Sequence, residues 1–404
     1  MMIHRFFAVG AMAASLVLSL AGCSYGPMVF AAPDLGHLQI EAGSPQQASI
    51  AKITTSPRLT SGTLISPLTP VAVSVAAGRL TQVALNGPAG AVSGTMSDDA
   101  TSWTSASESL GYGASYRITA SAVDRIGLTT TLTGTFETVS PTTFLGFVTS
   151  PHEGAVVGVG LPLQVTLDHA VVGEVYQAEL ARRLAVSADG RALEGAWRWA
   201  GDQALMYRPK TYWPGNATVV LSAPLNGVQF GPDLWGVGDR DITFSTGPSM
   251  ISFADMATHQ LTVTKDGATV RTIPITTGKP GFWTRSGIKV IEDKERARVM
   301  DAATGGTATT DPEYYRLRVE YAMRVTDSGE FLHAAPWSVA AQGHVNVSHG
   351  CTGMSEVNAK WLFENSLIGD VVVYTGTSRM MEPDNGIGIW NISWPAWLAG
   401  SAME

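Results

Sequence analysis

Apolar and polar residues alternate in short runs over much of the chain, as in Tyr116-Arg117-Ile118-Thr119-Ala120-Ser121-Ala122-Val123. A period of two marks a strand with one buried face. Turn-forming clusters such as Asn86-Gly87-Pro88 and Ser97-Asp98-Asp99 separate the runs. Short strands at that spacing predict an antiparallel sandwich over residues 46–140. Residues 141–248 read as a divergent repeat of the same block. Trp103 is followed by Tyr112 and Tyr116, and Trp199 by Tyr207 and Tyr212; the blocks close on Thr135-Phe136-Glu137-Thr138 and Thr243-Phe244-Ser245-Thr246. Each block is about 100 residues, the size of an immunoglobulin-like sandwich. Neither gathers catalytic residue types, so both read as spacers, with wall binding as the alternative.

From Met250 the texture changes. Met250–Asp255, Gln260–Lys265 and Val270–Ile273 alternate like strands, the last two joined across Asp266-Gly267, a strong hairpin signal. Residues 292–313 are charged and then Gly/Thr-rich, a stretch long enough for a flap. Ser355 is placed to cap a helix over 356–367, with Val357, Trp361 and Leu362 on one face and Gly369 ending it. Val371–Tyr374 is then a buried strand. The fold class is mainly β: two sandwiches, then a β-rich domain over 249–378 with one main helix, then a Trp-rich C-terminal extension over 379–404.

Composition changes this picture little. With 45% hydrophobic and 15% charged residues the chain can bury large cores. A net charge of −8 and the lack of any Lys/Arg run point to no nucleic-acid partner. The N-terminus is more informative. Arg5, an apolar run from Phe6 to Leu20 and the ending Leu20-Ala21-Gly22-Cys23 suit a signal peptide over residues 1–22. The ending resembles a bacterial lipobox, which implies lipid on Cys23 and membrane attachment through it. The expected location is the cell envelope, at the outer face of the cytoplasmic membrane. Residues 23–45, rich in Gly, Pro, Ala and Ser, read as a tether.

Only two cysteines occur, Cys23 and Cys351. With Cys23 carrying lipid, Cys351 has no disulfide partner. Three readings of it compete. It is a small buried hydrophobe; or a zinc ligand with His333, His344 and His349, although these spacings fit no common paired pattern; or a nucleophile. The polar and minimal neighbours Ser348, His349, Gly350, Thr352 and Gly353 favour the last. A loop just before a helix would lower the thiol pKa through the helix dipole, a histidine would serve as base, and backbone N–H groups around Gly350 and Cys351 would stabilise an oxyanion.

His333, fourteen residues, then Ser348-His349-Gly350-Cys351 resembles the signature of the L,D-transpeptidase (YkuD-type) catalytic domain. Thr276-Thr277-Gly278-Lys279, Ala335-Pro336-Trp337-Ser338 and the tail pieces Gly386–Ile392 and Trp394–Trp397 are similar to further family segments. Actinobacterial members are likewise exported lipoproteins with two immunoglobulin-like domains ahead of the catalytic one.

The resemblance implies Cys351 as nucleophile, His333 as general base, and His349 and Gly350 as the rest of the catalytic motif. It places Tyr315 as a lid tyrosine near the oxyanion and Trp337 in the substrate cleft, with Ser348, Thr352 and Gly353 also at the substrate. It implies peptidoglycan stem peptides as donor and acceptor, a 3→3 cross-link between diaminopimelate residues through a cysteine thioester, carbapenems as covalent inhibitors, and no cofactor. The alternatives are an L,D-carboxypeptidase that trims tetrapeptide stems, or a wall protein that binds peptidoglycan without turnover. The chain departs from the pattern twice. Thr352-Gly353 stand where an apolar residue and asparagine are usual, and Ala334 follows the histidine where serine is frequent. His344 is expected to make a structural hydrogen bond, and Trp390, Trp394 and Trp397 to pack onto the catalytic domain.

Overall fold

A computed structural model describes residues 47–59, 62–106 and 110–402. The expected leader, the expected lipid site at Cys23 and nearly all of the expected tether lie outside these residues. Among the described residues no helix is long and apolar enough to cross a membrane.

The alternation that opened the sequence becomes burial. In Ser115–Asp124, Tyr116, Ile118, Ala120 and Ala122 are buried. This strand lies within a five-stranded sheet, and a four-stranded sheet holding Trp103 packs over it. The second block has the same plan, again four strands over five. The repeat is carried by its closing strands. In Thr129–Thr138 and Asp239–Thr246, Phe136 and Phe244 are core residues, and each terminal threonine is buried. Thr138 accepts from the amide of Ala114 and donates to Gly111, and Thr246 does the same with Ala217 and Pro214.

The Trp/Tyr correspondence does not hold. Trp103 is on the third strand of its sheet, whereas Trp199 is on the edge strand Gly195–Trp199, half-buried, and Trp197 is the core residue. The second block also inserts a helix, Glu174–Arg183, that buries only Leu180 and Ala181. So narrow an apolar stripe leaves little periodic signal.

The third domain has two sheets. One is ordered Ala268–Pro274, Gln260–Lys265, Met250–Asp255, Val371–Thr375 and Gly287–Val290; the other is ordered Asp293–Asp301, Arg316–Arg324, Phe331–Ala334 and Thr352–Met354. Asp266 and Gly267 both have positive φ, 50° and 83°, as a two-residue hairpin of matching twist requires. The helix is Glu356–Asn365, and the Ser355 side chain accepts from the Asn358 amide. It buries Ala359 and Leu362, and Trp361 packs partly buried on the same core, while Val357 is 72% exposed, so Val357 alone departs from the expected apolar face. The expected flap is shorter than 292–313, because Asp293–Asp301 is a strand paired with Arg316–Arg324. Its charged side chains stay partly exposed at the sheet edge, which made it read as loop.

The second sandwich is joined to the third domain by specific contacts. Gly158 and Gly160 donate to the carbonyls of Ile368 and Gly369 at 2.7 and 2.8 Å. A side chain at Gly158 would fall 2.1 Å from the Asp370 nitrogen, so only glycine permits this approach. The tryptophans of the tail close the same junction. The Arg208 guanidinium lies 5.0–5.5 Å from the rings of Trp390, Trp394 and Trp397 and donates to the Ile392 carbonyl. The tail thus packs on the second sandwich, through Ala196, Met206 and Tyr212, as well as on Val290 of the third domain.

Candidate active site

Cys351 directly precedes the strand Thr352–Met354, which runs parallel to Phe331–Ala334 with His333 opposite Gly353. Alternate residues of a strand share a face, and Cys351, Gly353 and His333 line one cavity of about 180 Å³. Gly353 lines this cavity without a side chain. A Cβ there would meet Ala335 Cβ at 2.9 Å and Thr276 Cγ2 at 3.2 Å, so an asparagine has no room unless these neighbours shift. The Thr276–Lys279 stretch is strapped to the motif, with Thr276 and Gly353 exchanging backbone hydrogen bonds of 2.8–2.9 Å.

The Cys351 thiol is buried against Met300, Val319, Ala322 and Phe331, and donates to the Gly329 carbonyl at 3.6 Å. Burial pushes it up to about 11. The expected lowering by a helix dipole is not what the structure provides, because a strand intervenes and the helix begins only at Glu356. Cys351 is therefore held as a thiol and not a thiolate, so a nucleophilic role would need a base. A checkable consequence follows for alkylation by iodoacetamide. Its rate at Cys351 should keep rising with pH well past 9, without the early plateau of a low-pKa cysteine.

His333 Nδ1 lies 2.8 Å from the Ala334 carbonyl. A carbonyl only accepts, so Nδ1 carries the hydrogen and Nε2 keeps its lone pair. Burial holds the imidazole below the ordinary histidine range, which keeps it neutral and ready to take a proton. The contact uses the Ala334 backbone, so the missing serine hydroxyl is not needed for it. The Trp337 ring lies 6.0 Å from His333 at the cavity rim, 60% exposed.

Ser348 braces the turn: its hydroxyl donates to the Cys351 carbonyl at 2.6 Å and accepts from the Gly350 amide at 3.1 Å. The Gly350 N–H is thus occupied, which removes it from the expected oxyanion site. Gly350 has φ of 127°, a conformation that favours glycine. Tyr315 faces both this cavity and a larger one beyond it. Burial pushes its phenol up to about 12, so it stays a hydroxyl that can donate.

His349 Nε2 is 2.6 Å from Glu313 Oε2, which Lys279 Nζ also meets at 2.6 Å. Phe282 and Tyr315 pack on the His349 ring at 4.6 and 4.9 Å. Thr352 does not belong to the substrate site: it is buried, lines neither cavity, and its hydroxyl pairs with Tyr374 at 2.8 Å. The His344 imidazole is exposed, and its expected structural bond is made by the backbone amide, to Ala341. The zinc arrangement fails on geometry, since among the described residues no three His, Cys, Asp or Glu side chains are gathered to hold a metal.

Sequence reading missed what lies beneath the turn. Glu330 is buried and pairs with the fully buried Lys289 and with Arg285 (2.9 Å), which in turn holds Glu382 at 2.6 Å. The Lys289 ammonium sits 3.8 Å over the Tyr374 ring. The available signal was a lone lysine inside the apolar run Ile288-Lys289-Val290-Ile291, with a glutamate just before Phe331-Leu332-His333. A lone charge in a core strand demands a buried partner. The assembly can perform acyl transfer with a cysteine nucleophile and a histidine base.

Comparison with known proteins gives the family. Residues 249–373 match the family model of the L,D-transpeptidase catalytic domain, and residues 62–229 match that of a bacterial Ig domain. L,D-transpeptidase 2 of Mycobacterium tuberculosis is 34% identical over 335 residues, 82% of this chain and 81% of the relative. L,D-transpeptidase 5 of the same species is 31% identical over 86% of this chain and 78% of its own length. A solved L,D-transpeptidase in complex with imipenem is 34% identical, covering 58% of this chain and 100% of that one at a TM-score of 0.49. The chain is an acyltransferase that belongs to the L,D-transpeptidase family.

Proposed function

We propose that this enzyme cross-links peptidoglycan stem peptides 3→3 between diaminopimelate residues through a thioester on Cys351. One observation carries the reading: the Ala334 carbonyl fixes His333 with a free Nε2 on the wall of the cavity that Cys351 also lines. As a donor tetrapeptide enters, the thiol turns from Gly329 toward His333. Sγ attacks the carbonyl of the bond between diaminopimelate and D-alanine while Nε2 takes the thiol proton. The Tyr315 hydroxyl donates to the oxyanion that forms. Collapse breaks the C–N bond, Nε2–H protonates the leaving D-alanine amine, and the thioester remains.

An acceptor stem then brings its side-chain amine to the same imidazole. The amine attacks the thioester, its proton passes to Nε2 and on to the departing sulfur, and the amide is made. One amide is exchanged for another, so no cofactor enters. Carbapenems are strained acyl donors and are proposed to acylate Cys351 by the same first step. The reading also puts the enzyme on the outer face of the cytoplasmic membrane, held by lipid on Cys23. The supports for this are the Phe6–Leu20 run and Leu20-Ala21-Gly22-Cys23.

Intact-protein mass spectrometry with a diaminopimelate tetrapeptide and no acceptor tests the intermediate. The expected result is an adduct of the tripeptide acyl group on the wild type and none on Cys351→Ala. Release of D-alanine by the Cys351→Ala protein at the wild-type rate would refute it.

A further inference from the structure

The Cys351 sulfur meets one short stretch of backbone. Its hydrogen goes to the Gly329 carbonyl at 3.6 Å, and the Phe331 amide, two residues on, favours its charged form. Both groups sit at the end of a tight turn over 326–330. Gly329 donates to the Thr326 carbonyl at 3.2 Å, and the Glu330 amide donates to the Thr326 hydroxyl at 2.8 Å. The C-terminal tail reaches this turn on both sides of Gly329. On one side Asn385 accepts from the Ser328 amide at 2.8 Å and donates to the Ser328 hydroxyl at 2.9 Å. On the other, Glu382 accepts from Arg285 at 2.6 Å. Arg285 in turn donates to the Glu330 carboxylate from its guanidinium at 2.9 Å and from its backbone amide at 3.2 Å. The two arms are tied together, since Asn385 also donates to Glu382 at 3.1 Å. Glu292 fixes the tail beside them by accepting from the Ile387 amide at 2.7 Å.

Gly329 has no side chain to anchor it, so its carbonyl goes where Ser328 and Glu330 are held. We propose that Glu382 and Asn385 are positioning residues for the acyl transfer: from the tail they fix the Gly329 carbonyl and the Phe331 amide against which Cys351 reacts. The chemistry asks for both groups at one sulfur. A thiol donates to the carbonyl; once its proton passes to His333, the sulfur becomes an acceptor and the Phe331 N–H becomes its favourable partner. A turn free to shift would leave the carbonyl dipole facing the developing charge, and a 1 Å misplacement can cost on the order of 10²-fold in rate. The proposal rests on the reading of Cys351 as nucleophile given above. It assigns a part in the reaction to a segment that otherwise closes the domain junction. Glu382 is exposed and Asn385 half-buried, so truncating either side chain opens no core cavity.

The test is single-turnover acylation of the full chain by a saturating diaminopimelate tetrapeptide, followed by intact-protein mass spectrometry, which gives a rate constant and an amplitude. Glu382→Ala and Asn385→Ala are each expected to lower the rate constant by roughly 10-fold at full amplitude. Glu382→Gln, whose amide oxygen can still accept from Arg285, is expected to recover most of the loss. A folding defect acts differently: it cuts the amplitude, the fraction of molecules that can be acylated, and spares the rate constant. Wild-type rate constants in both alanine variants, or a loss confined to amplitude, overturn the positioning role and leave the chemistry of Cys351 standing. A folded wild type that gives no adduct on Cys351 overturns the nucleophile reading and the positioning role with it.

Discussion

Replacing His333 with alanine is expected to lower the rate of acyl-enzyme formation by about 10²–10⁴-fold, the usual contribution of a positioned general base. The loss should be large because burial outweighs the groups that favour a thiolate, the Phe331 amide and the Lys289 and Arg324 cations. Burial raises the Cys351 thiol, and the helix that could have lowered it starts beyond an intervening strand. Proton removal must therefore accompany attack, and Nε2 is the lone pair available for it. The pH profile carries the same signature. Because burial lowers the His333 pKa, the imidazole stays neutral as pH falls through the ordinary histidine range of about 6.5. The acid limb of kcat/KM should accordingly lie below that value. His333→Ala should remove this limb as well as the rate, as stopped-flow acylation over pH 4–9 would reveal. A small rate loss with an unshifted acid limb would assign the base elsewhere.

The second large effect is on stability. Glu330→Ala is expected to destabilise the enzyme by about 3–5 kcal/mol, the cost of removing one partner from a buried ion pair. Lys289 is fully buried, and Glu330 is the carboxylate it meets, so the change strands an ammonium beneath the Cys351 turn. The sign of the pH dependence follows. Burial already lowers the Lys289 pKa, and losing Glu330 lowers it further. A base with a depressed folded pKa binds fewer protons folded than unfolded, so stability rises with pH until the unfolded lysine also loses its proton. Glu330→Ala should thus regain stability between neutral pH and about 10, and adding Lys289→Met should regain most of the loss at pH 7. Chemical denaturation at three pH values decides it. A Glu330→Ala loss below about 1 kcal/mol would show that the network is not a strained charge balance.

The candidate nucleophile Cys351, the candidate base His333 and the motif histidine His349 were legible because they are read from residue types at fixed spacing. What fixes them was not. The acceptor for His333 is a backbone carbonyl, Glu313 reaches His349 from 36 residues away, and the Thr352 hydroxyl turns inward to Tyr374. None of these leaves a local pattern. The threonine and phenylalanine of Thr243-Phe244-Ser245-Thr246 repeat those of Thr135-Phe136-Glu137-Thr138 because each fills a core position and closes a turn, a double constraint that sequence shows. The tryptophans of the two blocks share only a preference for cores, so their matching spacing misled. The helix Glu174–Arg183 escaped notice because two buried residues make too faint a stripe.

A second stem, and not water, is proposed to resolve the thioester on Cys351. Tandem mass spectrometry of the products formed by the full chain from a diaminopimelate disaccharide-tetrapeptide tests it, with Cys351→Ala in parallel. Dimers joined between two diaminopimelate residues, absent from the variant, are the result expected here. Tripeptide monomers without dimers would contradict it and make water the acceptor.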